Sequence, residues 1–212
     1  MTLRQQVERL IGAGVPRVAG LAEAEFAALA ADLPQVAGAV VAVHPDLVGP
    51  ARLAALLSRS GRPGFVVEDM TDVADFAAIE AVDVPGRPLY LVRDPARGDD
   101  LRNVSPDDAL PAILAAGRTP LTLNEGISWV LQDPEVLVPG ACFMTIGSRR
   151  VRGARLDPRT PALWISSGTG RDGPQRRGAP KVGWCWAGNR HTWLGHASAA
   201  GRATLAPASA LP

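Results

Sequence analysis

The chain has 212 residues, 47% of them hydrophobic and 20% charged, a balance that permits a packed core and excludes a disordered chain. No apolar run nears the roughly 20 residues that cross a bilayer, and two cysteines, Cys142 and Cys185, do not make a disulfide framework, so a soluble protein of the cytoplasm is expected. Net charge is +1, yet residues 1–148 hold 19 acids and 11 bases while residues 149–202 hold 11 bases and two acids; this asymmetry reads either as halves that complement each other, within the chain or head to tail in an oligomer, or as an anion-binding surface in the rear.

Along the chain, Met1-Thr2-Leu3-Arg4-Gln5-Gln6 lacks the basic and apolar segments of a signal peptide. Thr2 and Gln5 have capping-box spacing, and Leu3, Val7, Leu10 and Ile11 recur at helical spacing. Gly12-Ala13-Gly14-Val15-Pro16 ends that helix. A second amphipathic helix carries Phe26, Leu29, Ala30 and Leu33, which predicts a helical hairpin. Ala39 to Val43 reads as a buried strand, Pro50 as the first residue of a helix bearing Leu53, Leu56 and Leu57, and Phe65-Val66-Val67 as a short strand. That order predicts a βαβ unit with parallel strands. Glu68, Asp69, Asp72 and Asp75 recur by threes, as on a solvated helix side, and only weakly suggest a divalent cation. Leu89 to Val92 is a strand. Ser105-Pro106-Asp107-Asp108 starts a helix with Leu110, Ile113 and Leu114 inward. Thr122 to Glu125 is a second capping box, opening a helix with Leu123, Ile127, Val130 and Leu131.

After Pro139-Gly140 short strands dominate: Cys142 to Ile146, Ala162 to Ser166, Lys181 to Ala187 and Thr192 to Ala197. Gly188-Asn189-Arg190 joins the last two as a hairpin turn. The predicted class is therefore α+β: a helical hairpin and short βαβ unit, then a mostly antiparallel sheet with a Trp-rich hairpin. Residues 1–202 read as one integrated domain, a front lobe of about 1–100 and a rear lobe of about 101–202. Residues 203–212 read as a loose tail.

The rear carries the distinctive segments: Arg118-Thr119-Pro120-Leu121-Thr122, Asn124-Glu125-Gly126, Asp133-Pro134-Glu135-Val136-Leu137, Pro161-Ala162-Leu163-Trp164-Ile165-Ser166 and Pro180-Lys181-Val182-Gly183-Trp184-Cys185-Trp186-Ala187-Gly188-Asn189-Arg190-His191-Thr192-Trp193-Leu194-Gly195. In these the chain resembles a family of uncharacterised proteins from high-GC actinobacteria, a domain of unknown function, up to about Arg202. The resemblance implies a complete, free-standing protein. It brings no reaction, cofactor or catalytic residue. The Gly168 to Gly178 loop is longer than that family leads one to expect.

Four of the five tryptophans lie between Trp164 and Trp193. On a strand, Val182, Trp184 and Trp186 share one face and Gly183 and Cys185 the other. These rings are either sheet core or an aromatic wall for a flat ligand. The leading expectation is a binding protein for a small anionic or aromatic ligand, or for a protein segment. Trp184, Trp186 and Trp193 would supply apolar surface beside Asn189 and His191, and Arg149, Arg171 and Arg190 would supply charge. Three alternatives stand beside it: an enzyme using His191 with Cys185 or Glu125, a single-stranded nucleic-acid binder, and a structural oligomer. Nucleic acid is the weaker partner, since no RNP, KH or zinc-knuckle pattern is present. Glu125 reads first as a capping residue. Ser166-Ser167-Gly168-Thr169-Gly170-Arg171 lacks the Gly-Lys-Ser/Thr of a phosphate loop. Cys185, His191 and His196 lack zinc spacing, and neither a metal nor a cofactor is expected.

Overall fold

A computed structural model describes residues 1–204 of the protein. Helix α1 (Leu3–Gly12) opens on the predicted capping box: Thr2 Oγ1 accepts from Gln5 N at 3.2 Å, and Gln5 Oε1 accepts from Thr2 N at 2.9 Å. Gly14 and Gly20 then take positive φ, a conformation that stops a helix. They split the next stretch of chain into α2 (Val15–Ala19) and α3 (Glu23–Ala28), so the expected helical hairpin is three short helices. Next come β1 (Val40–Val43), α4 (Pro50–Ala54), a ribbon of β2 (Ser58–Arg59) and β3 (Arg62–Pro63), then β4 (Phe65–Val66), β5 (Ala77–Ala78) and β6 (Leu89–Arg93). The rear holds α5 (Pro106–Ala115), β7 (Thr119–Pro120), α6 (Leu123–Gln132), β8 (Cys142–Met144) and β9 (Ser148–Arg149). A small hairpin of β10 (Val151–Arg152) and β11 (Arg155–Leu156) comes after it, and the chain continues through β12 (Arg159–Ile165), β13 (Pro180–Trp186), β14 (Leu194–His196), β15 (Ser198–Ala199) and β16 (Gly201–Ala203). The class is mixed α and β, as the sequence predicts. Ala203 belongs to a strand, so the tail does not begin there; residues 205–212 of the expected tail lie outside the described residues.

Two sheets organise the molecule. The first has order β1-β6-β16, all antiparallel, and the second has order β14-β8-β12-β13-β4. The predicted βαβ unit does not form. β1 pairs antiparallel with β6, whereas β4 joins the other sheet, parallel to β13. The predicted Trp-rich hairpin does not form either. β14 pairs parallel with β8, two strands away from β13, and the intervening antiparallel pairs make β13 and β14 run the same way. A tight turn reverses a chain, so residues 187–193 must instead cross over the sheet.

The second sheet is covered on both faces. Phe143, Leu163 and Val182 join the main core with α6, the first sheet and the N-terminal helices. Cys142, Met144, Ala162 and Leu194 face α5 through Ala109 and Ile113. Helix α6 also closes the open edge of β1. Val41 N–H donates to Gln6 Oε1 of α1 and Val43 N–H to Ser128 Oγ, while Val41 C=O accepts from Gln132 Nε2 and Val43 C=O from Asn124 Nδ2, all within 2.7–3.1 Å. Asn124, Ser128 and Gln132 stand four apart on one helix line. They give an otherwise bare sheet edge the partners that a further strand would supply. Among the described residues no helix is long and apolar enough to cross a membrane.

Candidate functional site

Four of the rear arginines, Arg150, Arg159, Arg171 and Arg176, find partners in the acidic run of the front. Glu68, Asp69, Asp72 and Asp75 do not share a helix; only Val73–Asp75 forms a 3-10 turn. They lie in a connecting segment alongside the second sheet. Arg159 donates to Asp72 Oδ1 at 3.0 Å, and Arg150 bonds both Asp72 and Asp75. Arg171 meets Asp69 at 3.1 Å, and Arg176 meets Glu68 at 3.5 Å. Asp72 carries two cations, and the hydrogen bond from Arg159 holds its carboxyl below the usual range. These pairs answer part of the charge asymmetry within one chain.

The aromatic residues separate into pairs. Trp184 and Trp186 meet edge to face with centroids 4.6 Å apart, and Trp184 Nε1 donates to Asp69 Oδ1 at 3.3 Å. Trp184 packs on the main core, while Trp186 is 45% exposed. His191 stacks on Trp193 at 4.6 Å, and Trp193 is 49% exposed. Asn189 is exposed, its N–H turning back to Trp186 C=O at 3.1 Å. Arg190 pairs with Asp108 at 2.7 Å, and Arg171 with Asp69 as above. Arg149 lies on β9 and reaches Asp107, the neighbour of the Asp108 that holds Arg190. The eight predicted site residues therefore do not converge on one cleft.

Glu125 is the capping residue the sequence suggests, and its burial leaves no room for the role that the enzyme alternative gives it. Its carboxylate closes the predicted capping box with Thr122, accepts from Tyr90 Oη at 2.9 Å, and is clamped by both arms of Arg202, with Nη2 at 2.7 Å. Desolvation first, and the adjacent carboxylate second, hold the Tyr90 phenol far above its ordinary value. A carboxylate with every acceptor position used is structural. His196 is buried and bonded through Nε2 to Val104 C=O at 3.0 Å, and its burial lowers its pKa. Burial pushes the Cys142 thiol up to about 12 and raises that of Cys185, the opposite of an activated thiolate.

A groove of about 920 Å³ lies where Arg149 stands. One wall is the segment from Asp75 to Ala81, tied by β5 to β9 in the register Ala77↔Arg149. The other walls are the first turns of α5, through Pro106, Asp107 and Leu110, and the β10–β11 hairpin, through Val151 and Leu156. Ser105 fixes the start of α5 by accepting from Asp108 N at 3.2 Å. Val151 and Leu156 are 66% and 51% exposed, unusual for large apolar side chains of one short hairpin. Arg149 is the cation of this lining, which also holds the acids Asp75, Glu80 and Asp107. Its Nη2 donates to Asp157 C=O at 2.9 Å, and Nη1 lies 3.5 Å from Asp107. Its Nε–H is buried and has no acceptor among the described residues. Sequence patterns point to Arg149 but miss Ala77 to Ala81, Leu110, Val151 and Leu156. Their only signal is an apolar residue at each end of an arginine-rich turn.

The sequence model of a family of unknown function, DUF5701, matches residues 9–205. No curated protein and no solved structure matches the chain.

Proposed function

The chain belongs to this family, which assigns it no reaction, and we propose from its geometry that it is a binding protein whose ligand occupies the groove between α5 and the β5–β9 ribbon. The observation that carries this reading is a groove of about 920 Å³ in which the Arg149 side chain stands beside the exposed apolar side chains of Val151 and Leu156. The volume falls in the range of small-molecule sites, which pair an apolar lining with a few placed polar groups. The fitting ligand is a small molecule with an apolar body and one acceptor oxygen. The rim adds Asp75, Asp107 and Glu80; the first two are ion-paired, and no ion pair holds Glu80 among the described residues, so a neutral acceptor suits the groove better than a strong anion.

Nile red, an apolar dye carrying acceptor oxygens, tests this. Saturable fluorescence enhancement is expected, abolished by Ala78→Trp, which fills the groove from an exposed position. Arg149→Gln should weaken binding about tenfold, the loss of one hydrogen bond to a charged donor. No enhancement, or enhancement that Ala78→Trp leaves untouched, refutes the reading. The single-stranded nucleic-acid alternative receives less support, since Arg150, Arg159, Arg171, Arg176 and Arg190 each hold an acid of the same chain.

A further inference from the structure

A second concavity, of about 370 Å³, opens at the opposite end of β12 and β13. Trp164 and Trp193 line it, together with Ile165 and Ser166 at the end of β12 and with Arg177. Both indoles are braced. The His191 ring stacks on Trp193 with an interplanar angle of 27°. Lys181 Nζ lies 4.6 Å from the centroid of Trp164. On the neighbouring strand Gly183 leaves the space the Trp164 ring needs: a Cβ there would stand 2.5 Å from Trp164 Cη2. Braced aromatic walls lose little entropy when a ring docks on them.

Charge distinguishes Arg177 from its neighbours. The segment from Gly170 to Lys181 carries four cations. Arg171 is paired with Asp69, Arg176 with Glu68, and Lys181 with Asp172 at 2.7 Å. Arg177, exposed and lining the concavity, has no ion pair among the described residues. Its backbone is held, with Arg177 N donating to Pro174 C=O and Gly178 N to Ser166 C=O at 2.8 Å. A guanidinium beside aromatic rings recognises an anionic group attached to a planar ring.

We propose that this concavity is a binding site for a planar aromatic anion, a ring carrying a carboxylate or phosphate, with the ring against Trp193 and Trp164 and the anion on Arg177. The site shares no residue with the groove at Arg149, so it stands or falls independently of the function proposed above.

The test titrates the full chain with adenosine 5′-monophosphate and with indole-3-acetate, by calorimetry. Adenosine and inorganic phosphate serve as the ring-only and anion-only arms. Saturable one-to-one binding of at least one aromatic anion is expected, with its separate parts about tenfold weaker or worse. Trp193→Leu and Arg177→Gln, both at exposed positions, should each weaken it about tenfold, while Ala78→Trp leaves it unchanged. The proposal is overturned if neither aromatic anion saturates at millimolar concentration. It is equally overturned if either exposed variant binds as tightly as the parent, or if phosphate alone binds as well as the nucleotide.

Discussion

Asp157 shows how one carboxylate can hold a strand start. It accepts from Arg159 three times, through the backbone N at 2.9 Å, Nε at 3.0 Å and Nη2 at 2.7 Å. The residue is 1% exposed, and these bonds from Arg159 hold its carboxyl at about 2. A carboxyl depressed in the folded state adds stability that is complete above its unfolded value near 4 and is lost as pH falls through the folded value. The window is therefore about pH 4 down to pH 2, and the contribution on the order of 2 kcal/mol. Asp157→Asn should lower stability at pH 7 and flatten the acid limb of urea midpoints measured between pH 5 and pH 2; an unchanged limb would contradict the assignment. Asp72, also depressed by Arg159, retains part of the slope in the variant. At this scale the sequence is informative only locally. Thr122 and Glu125 are legible as a capping box because they lie three apart, whereas the clamp of Glu125 by Arg202 spans 77 positions and has no signature in spacing.

At the scale of elements, periodicity locates the strands and leaves their partners undetermined. β1, β4, β13 and β14 all lie where alternation and apolar runs place them, yet the βαβ unit and the Trp-rich hairpin predicted from them do not form. Pairing depends on which edges the rest of the chain leaves open. The edge of β1 that a parallel β4 would have used is taken by Gln6, Asn124, Ser128 and Gln132. The apolar stripe of α6 is readable. Its polar stripe looks like a solvated face until the sheet edge beside it is known. Gly126, one turn into α6, marks where that helix presses on the second sheet: a Cβ there would meet Thr145 Cγ2 at 2.6 Å and Leu163 Cδ1 at 3.1 Å. Gly126→Ala gains up to about 1 kcal/mol of helix propensity against an overpacking cost of about 1–3 kcal/mol, so net destabilisation is expected. Gly12→Ala, in the last turn of α1 with nothing within 4 Å of the new Cβ, lacks that cost and should stabilise by up to about 1 kcal/mol. Urea denaturation of the two variants should therefore shift in opposite directions, and a shift of the same sign in both would contradict the packing argument.

At the scale of the whole molecule, the front and rear share their core and their charges. The main core runs from Val7 to Ala199 and draws on both sheets. β16 returns from the rear to become an edge of the first sheet, while β4 leaves the front to become an edge of the second. Each lobe thus lends a strand to the other, and the acidic run from Glu68 to Asp75 lies under arginines from β12 and its neighbours. Unfolding either half alone would bare apolar surface and strand edges on the remaining half and strip partners from its carboxylates, costs that oppose a half-folded intermediate. The placement of the tryptophans makes this measurable. All five lie from Trp129 onward, so their fluorescence reads the rear, whereas far-UV circular dichroism also reads the front helices α1 to α4. The two probes should trace one urea transition with a common midpoint and slope. Two separated midpoints would show that the exchanged strands and ion pairs do not couple the lobes, and the chain would then be two domains in contact.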